Sequence, residues 1–316
     1  MLVKKACYWW SSFGDFPPED EQECVPSPKH VLEAYRLANK VSFPQLAQEF
    51  HLSEQMLRRI FHIGNSAREQ QENGEAPFRA NISVAIAEEM GDRESLIIAL
   101  HIRAATLREQ GPMFYNAAQA DTDRALLLIK QSAQEKHSVA PSVVGRVTLE
   151  AGLVQSFTAQ LKGEQEMAKS LLQQGQSQAQ KASGEVDSHQ LKLDLGFSHL
   201  KAAMALTVWH NPATLKEHLD EATRLTDPAL KRRHLIIQIV RAQGEMQSAR
   251  NSSRLAQDKH YAEATRLATE ALPLAKQLNS RLNRQRIQEI YDELRASPYG
   301  EEPTVAHLGL LLRNWP

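Results

Sequence analysis

One long stretch of the sequence, residues 77–297, limits the fold more than any other feature. Ala, Gln, Leu, Arg and Glu dominate it, and these residues favour the α-helix. Its one strand-like run, residues 234–240 (HLIIQIV), lies in a helical context far longer than a strand, so we interpret it as buried helix. Gly and Pro divide the stretch into helix-length segments. These breaks are at Gly111-Pro112, Pro141, Asn211-Pro212 and Asp227-Pro228. The sequence therefore predicts an all-α fold.

The breaks group the predicted helices into antiparallel pairs. The pairs are 82–108 with 115–134, 142–160 with 162–182, 187–209 with 212–226, and 229–256 with 260–278, and a last helix follows from about 281. Apolar stripes with helical spacing occur on two of these helices. The stripes are Leu215, Leu219, Ala222 and Leu225, and Ile287, Ile290, Tyr291 and Leu294. Because one pair cannot bury all of its apolar surface, we expect the pairs to stack into an α-solenoid.

The unit HYAEATRLATEALPLAKQL is similar to part of a tetratricopeptide repeat. Ala264, Ala268 and Ala271 align with the small-residue positions of the second helix in such a repeat. However, Ser252 stands in place of the usual glycine, and Lys276 in place of the closing proline. The spacing of the units is roughly 40 to 50 residues rather than about 34. We therefore predict a TPR-like array at 77–297, with an irregular helical bundle as the alternative.

A second pattern, in residues 42–61 (SFPQLAQEFHLSEQMLRRIF), is typical of a helix-turn-helix. Ser42 and Ser53 stand where the two helices would begin, and a serine oxygen accepts a hydrogen bond from a free amide there. Apolar residues occupy the positions that pack two crossed helices together. These residues are Leu46, Ala47, Phe50, Leu52, Leu57 and Ile60.

This pattern places a helix-turn-helix domain at 28–67. An aromatic and proline-rich arm, 1–27, precedes the domain, and a polar linker, 68–76, follows it. Residues 298–316 form a C-terminal tail after the repeats. The chain is thus expected to have a small N-terminal head and a long helical body.

Composition excludes several classes of protein. The chain has 37 Lys and Arg against 38 Asp and Glu, so it lacks the strong positive field of a dedicated nucleic-acid coat, and DNA contact must come from a local patch. Cys7 and Cys24 are the only cysteines, which favours free thiols in a reducing compartment, with a single disulfide that closes the N-terminal loop as the alternative. No apolar run reaches the ~20 residues of a membrane span. We expect a cytoplasmic protein without a membrane anchor.

Catalytic and metal-binding motifs are missing from the sequence. It contains no HExxH, GxSxG or GxxxxGK[ST] motif, and no GxGxxG after a strand. Among the twelve histidines, His210 and His218 have no cysteine or carboxylate arrangement that would complete a metal site. We therefore predict no enzyme activity, no cofactor and no metal.

The order of parts resembles that of bacterial regulators that join a repressor-type helix-turn-helix to a tetratricopeptide sensor domain, a group that includes peptide-sensing quorum regulators. Both ends carry the resemblance: the arm leads to Pro26-Ser27-Pro28 and VLEAYR, and residues 291–313 (YDELRASPYGEEPTVAHLGLLLR) look like the C-terminal tail of a bacterial subgroup. It implies operator binding as a homodimer and a peptide or protein partner in the repeat groove. The motif departs from the family at four positions. They are Phe43, His51, Glu54 and Phe61.

Contacts to DNA are expected from the second helix of the motif, where polar side chains reach base edges and phosphates. Residues 25–70 carry six Lys and Arg against four Asp and Glu, a weak attraction for DNA. Alternatively, the adjacent arginines of this helix form a solvated face. The candidate DNA-binding residues are Ser53, Glu54, Gln55, Arg58, Arg59 and His62.

Polar side chains of the repeat helices are candidates for holding a partner, because amide and guanidinium groups match the donors and acceptors of a peptide backbone. These candidates are Arg103, Arg146, His199, Gln238 and Arg241. The sequence therefore predicts a transcription regulator that senses a peptide or protein. The alternative is a TPR-like interaction scaffold whose helix-turn-helix packs against the body and no longer binds DNA.

Overall fold

The computed structural model of this chain describes Ser42, Gln45 and residues 75–159, 162–182 and 191–315. Gln45 is helical, and the Ser42 amide donates to its Oε1 at 2.8 Å. The Gln45 amide in turn donates to Ser42 Oγ at 3.5 Å. This reciprocal pair is a capping box and agrees with a helix beginning after Ser42. The rest of the predicted helix-turn-helix, including Ser53, lies outside the described residues.

The described residues are all-helical, as the sequence predicts, and contain no strand. A short 3₁₀ helix at Pro112–Phe114 accompanies eleven α-helices. The α-helices are α1 (Glu75–Met90), α2 (Arg93–Glu109), α3 (Tyr115–Gln134), α4 (Pro141–Thr158), α5 (Lys162–Ala182), α6 (Leu195–Val208), α7 (Pro212–Leu225), α8 (Lys231–Arg250), α9 (Arg254–Gln277), α10 (Arg281–Ala296) and α11 (Pro303–Arg313).

Adjacent helices pack as pairs, and the pairs stack into a solenoid-like body. The pairs are α2 with α3, α4 with α5, α6 with α7, α8 with α9, and α10 with α11, while α1 packs on α2. The first helix of each pair also packs on the first helix of the next pair. Helices α2, α4, α6, α8 and α10 therefore form one continuous row, here called the first-helix row.

Several helix boundaries differ from the sequence prediction. The single helix predicted at 82–108 is wrong, because Gly91 adopts φ +64° and separates α1 from α2. Glycine accepts this left-handed conformation without steric cost, which makes it a common helix terminator. Helix α6 begins at Leu195 rather than at 187, and α8 ends at Arg250 rather than at 256.

The segment assigned as a C-terminal tail contains a helix. Residues 303–313 form α11, which packs on α9 and α10. Val305, Leu308 and Leu312 of this helix are buried, and Trp315 is buried just after it. These side chains belong to the same hydrophobic core cluster as α8, α9 and α10. The segment thus completes the last helix pair and covers the end of the array against α9, as a terminal cap of a repeat array must.

The apolar stripes face the core as predicted. Leu219, Ala222, Ile287 and Leu294 have no exposed surface, and residues 234–240 lie within α8. The three alanines of α9, at 264, 268 and 271, are also fully buried. Burying one leucine side chain contributes about 1.5–3 kcal/mol to folding. The stripes are therefore the main source of cohesion between neighbouring helices.

Helices α4 and α5 approach each other closely because glycines face leucines across their interface. A Cβ atom built on Gly152 of α4 would lie 2.9 Å from Leu172 Cγ of α5. A Cβ atom on Gly175 of α5 would lie 2.5 Å from Leu149 Cγ of α4. Each leucine therefore fills the space that a larger residue would occupy on the facing helix.

Candidate functional site

Five charged side chains from four helices meet along the first-helix row. Arg108 and Glu109 come from α2, Glu150 from α4, Lys201 from α6 and Arg286 from α10. We call this group the ion cluster. Its contacts join helices that are distant in sequence.

Glu150 lies at the centre of the ion cluster. It accepts from Arg108 Nε at 2.6 Å and from Lys201 Nζ at 2.6 Å. Arg108 also pairs with Glu109 at 2.7 Å, and Arg286 donates to Glu109. The last contact connects α10 to the end of α2, so the row curves far enough to bring its fifth helix back to its first.

Burial makes the ion cluster sensitive to any unpaired charge. The Glu150 side chain is fully buried, and those of Arg108 and Lys201 are nearly so. Burial by itself would raise the pKa of the Glu150 carboxyl, but Arg108 and Lys201 outweigh it and hold that pKa well below its usual range. Burial lowers the pKa of the Lys201 amine to about 8 despite its contact with Glu150. Each charge is therefore stable only beside its partner.

An aromatic ring lies beside the ion cluster and faces three cations. The guanidinium carbon of Arg146 is 4.0 Å from the centre of the Phe197 ring. Lys201 Nζ and the guanidinium carbon of Arg233 are 5.2 Å and 5.4 Å from the same centre. Cations at these distances are attracted to the negative face of the ring. This contact helps to offset the positive charge gathered on α4, α6 and α8.

His101 of α2 adds a neutral polar group to this environment. It is buried, and among the described residues its Nδ1 has no hydrogen-bond partner. Burial is the main reason that its pKa is lowered to about 3, and Arg146 lowers it further. The imidazole therefore remains neutral at physiological pH.

Two of the helices that supply these groups, α4 and α6, carry almost no other charged residue. Arg146 and Glu150 are the only charged residues of α4, and they stand four positions apart on one side of the helix. Lys201 is the only charged residue of α6. An isolated charge in an apolar helix is a sequence signal for a buried ion pair, because burial without a partner costs several kcal/mol. This signal was present in the sequence, but neither the ion cluster nor Phe197 was predicted from it.

The five predicted groove residues all lie on helices of the first-helix row, and their side chains contact different partners. Arg146 lies on the first-helix row, beside Phe197. Arg103 instead forms a two-pronged contact with Asp121 of α3, with distances of 2.5 and 2.7 Å. Its Nη1 also donates to Asn81 of α1. Arg103 therefore ties α1, α2 and α3 together.

The other three predicted groove residues lie on α6 and α8 of the same row. Arg241 of α8 donates to Asp220 of α7 at 2.9 Å. His199 of α6 contacts His218 of α7, and Gln238 of α8 is half-buried. Hence Arg241 and His199 join neighbouring helices. The candidate DNA-binding residues Ser53, Glu54, Gln55, Arg58, Arg59 and His62 lie outside the described residues.

Two features are absent from the described residues. Among their helices, none is both long enough and apolar enough to cross a membrane. Within the same ranges, no group of three or more His, Cys, Asp or Glu side chains is placed to hold a metal ion.

Comparison with known proteins leaves the site to be interpreted from its own chemistry. No protein-family model, curated protein or solved structure matches this chain. The physical arrangement is a curved row of helices in which buried charge contacts join α2, α4 and α6 and connect α10 to α2. Such contacts join members of the row that are distant in sequence.

Proposed function

We propose that this protein is a DNA-binding transcription regulator whose TPR-like body senses a peptide or protein partner. The observation that carries the proposal is the first-helix row, in which five helices are connected side by side and α10 returns to α2. Stacked helix pairs present an extended curved surface, and partners of repeat proteins bind to such surfaces. The sequence pattern at 42–61 supplies the DNA-binding part of the proposal.

The ion cluster supports a body that changes shape when a partner binds. Arg108 contacts both Glu109 and Glu150, so a small movement of α2 relative to α4 favours one partner over the other. Directional contacts of this kind have discrete arrangements, which a bound partner shifts by binding one of them more tightly. A change in the body then alters the geometry of a homodimer and the spacing of its two DNA-binding heads.

The first test is a mobility-shift assay with the full-length protein and DNA from upstream of its own gene, at low and moderate salt. We expect a sequence-preferring complex that the double substitution Arg58→Ala and Arg59→Ala weakens at least tenfold. Arg266→Ala is the matched control, because Arg266 lies on the exposed face of α9 and contacts Glu263 and Glu270 of its own helix. Absence of any sequence-preferring complex at both salt concentrations would refute DNA binding.

The alternative function is an interaction scaffold, which the departures from the helix-turn-helix motif at Phe43 and Glu54 favour. A scaffold predicts a different result for the same variants. In that case, affinity purification recovers the same protein partners with the wild type and with the double arginine variant, and no DNA accompanies the native protein. Loss of partner recovery in the double variant would argue against the scaffold.

A further inference from the structure

Two histidines from neighbouring helices meet edge to edge on the α6–α7 pair. The Nδ1 atoms of His199 and His218 are 3.0 Å apart, and their ring centres are 5.0 Å apart with a 45° tilt. On the other side of His199, its Nε2 lies 3.2 Å from Nε2 of Gln176 in α5. Both histidines are half-buried, so the space beside them remains accessible to solvent.

The contact between the two Nδ1 atoms limits the protonation states of the two rings. A hydrogen bond between two ring nitrogens forms only if one carries a proton and the other does not. Burial is the main cause that lowers the pKa of both histidines. Arg224 lowers the pKa of His199 further, and His199 lowers that of His218. Both imidazoles are therefore neutral at neutral pH and are able to act as metal ligands.

We propose that His199 and His218 form a two-imidazole binding site for a divalent transition-metal ion such as Ni²⁺, Cu²⁺ or Zn²⁺. With metal–nitrogen bonds of about 2.0–2.1 Å, two ligands at a right angle have nitrogens about 2.9 Å apart, and a tetrahedral angle gives about 3.3 Å. The observed separation of 3.0 Å lies between these values. The separation of the two nitrogens therefore already fits a shared ion, and binding requires the rings to turn until both lone pairs point at it.

Gln176 is placed to orient the first ligand. When both Nδ1 atoms bind the metal, each imidazole carries its remaining proton on Nε2. A rotation of the Gln176 amide then presents its oxygen to the Nε2–H group of His199. Metal-bound histidines usually donate this second ring proton to a carbonyl or carboxylate oxygen. Metal binding at this site thus changes tautomers and releases no proton.

The surrounding charges favour a cation moderately. Glu217 and Glu221 of α7 raise the pKa values of His218 and His199 respectively, which is the effect expected of nearby negative charge. Arg224 opposes them through its contact with Glu221 at 2.6 Å. In the part of the chain that the structure describes, no third His, Cys, Asp or Glu completes the site. Water therefore fills the other positions, and we expect micromolar rather than nanomolar affinity.

This site differs from the pair considered in the sequence, where His218 was compared with His210. The two residues stand eight positions apart in the sequence, whereas the partner that the structure assigns to His218 stands 19 positions away, on another helix. The proposal is independent of DNA binding. A failed mobility-shift assay does not affect it, and a failed metal titration does not affect the proposed regulator.

The test is calorimetric titration of the full-length protein, free of tags, with NiCl₂, CuCl₂ and ZnCl₂ in separate experiments at pH 7.5. We expect at least one of these ions to show a one-to-one binding event that His199→Asn and His218→Asn each weaken at least tenfold. Asparagine retains a polar atom close to the position of Nδ1 but is a poor ligand for these ions. His210→Asn is the matched control, because His210 is exposed on the adjacent turn and has φ +51°, which asparagine tolerates.

Electron paramagnetic resonance of the Cu²⁺ complex supplies a second measurement. Two coordinated imidazole nitrogens are expected in the wild type and one in each histidine variant. Far-UV circular dichroism checks that the variants fold. If one histidine variant does not fold, the other is sufficient for the test. Equal binding by wild type and both variants would overturn the proposal and leave the pair as a simple hydrogen bond.

Discussion

At the residue scale, buried charged side chains connect the helices of the first-helix row. Glu150 has no exposed surface and is held by two cations from different helices. Each cation offsets only part of the cost of removing the Glu150 carboxylate from water. The buried carboxylate is therefore stable only while both cations are present. Such residues make a fold specific, since an alternative stacking of the same helices would leave a charge buried without a partner.

Removing one charge from the ion cluster should lower the free energy of unfolding more than removing an oppositely charged pair. We predict that Glu150→Gln lowers the free energy of unfolding by about 3–5 kcal/mol, because it leaves buried cations without their anion. The double substitution Glu150→Leu with Lys201→Met should recover most of that loss, since Arg108 keeps its contact with Glu109. Urea unfolding followed by circular dichroism measures both changes. A double variant that is less stable than the single one would contradict this account.

His101 should make stability depend on pH. Its folded-state pKa is lowered to about 3, so between about pH 6.5 and pH 3 the unfolded chain binds a proton that the folded chain does not. Stability therefore falls as the pH decreases through this range, and the loss at pH 5 is about 2 kcal/mol. We predict that His101→Leu reduces the stability difference between pH 7 and pH 5 by about this amount.

The control for that measurement is His137→Gln, because the His137 side chain is 77% exposed in the folded protein. Urea unfolding at pH 7, 6 and 5 gives the free energy of unfolding as a function of pH for the wild type, His101→Leu and His137→Gln. The same pH dependence in wild type and His101→Leu would show that His101 accepts a proton in the folded state.

Close packing at the scale of the elements depends on small residues at helix crossings. The α4–α5 pair places Gly152 against Leu172 and Gly175 against Leu149. The α7–α8 contact also places a glycine against a leucine, since a Cβ atom on Gly244 would lie 2.6 Å from Leu215 Cδ2. Short distances between helix axes follow from these glycines, and larger residues would force the helices apart.

Gly152→Ala should therefore destabilise the protein even though alanine favours the helix. Its Cβ atom would lie 3.0 Å from the Leu172 amide nitrogen and 3.1 Å from the Ala168 carbonyl oxygen, and backbone atoms cannot easily move away. We predict a net loss of about 1–2 kcal/mol after the helix-propensity gain of up to about 1 kcal/mol. Thermal unfolding measures this loss.

Gly163→Ala provides the matched control, because a Cβ atom at Gly163 of α5 would have no described neighbour within 4 Å. That substitution should be neutral or slightly stabilising. If both alanine variants behaved alike, close packing at the α4–α5 crossing would not be the reason for the glycine.

At the largest scale, the helical body that the structure describes is held in its curved shape by a contact between α2 and α10 as well as by contacts between neighbouring helices. Arg286 and Glu109 are 177 positions apart in the sequence and join α10 to α2. Both side chains are largely buried. Successive pairs in an open solenoid touch only their neighbours, so this contact adds a long-range constraint that links the first and last parts of the body.

We predict that Arg286→Gln loosens the two ends of the first-helix row. Amide hydrogen exchange in residues 93–109 and 281–296 should become faster, by roughly ten- to a hundredfold, because an ionic hydrogen bond between these segments is lost. Arg266→Gln is the control, since both partners of Arg266 belong to its own helix and are exposed. Unchanged exchange in these segments would mean that apolar packing alone closes the row.

Local signals in the sequence predicted most of the helices. Pro141 and Pro212 begin α4 and α7 as expected, and the apolar stripe around Leu219 identified a buried face. The prediction failed at Gly91, because a single glycine in a helical stretch is either tolerated or used as a terminator, and only its φ value distinguishes the two. It also missed α11, because the segment was assigned by its resemblance to a tail.

By itself, then, the amino-acid sequence determined an all-helical body and the positions of most of its breaks, because helix propensity, proline and the 3.6-residue repeat act within a few residues. Only the tertiary structure decided which charges and histidines meet. Glu150 lies 42 positions from Arg108 and 51 from Lys201, and nothing local selects such partners. They are brought together by the angle and depth at which whole helices pack, which depend on every side chain between them.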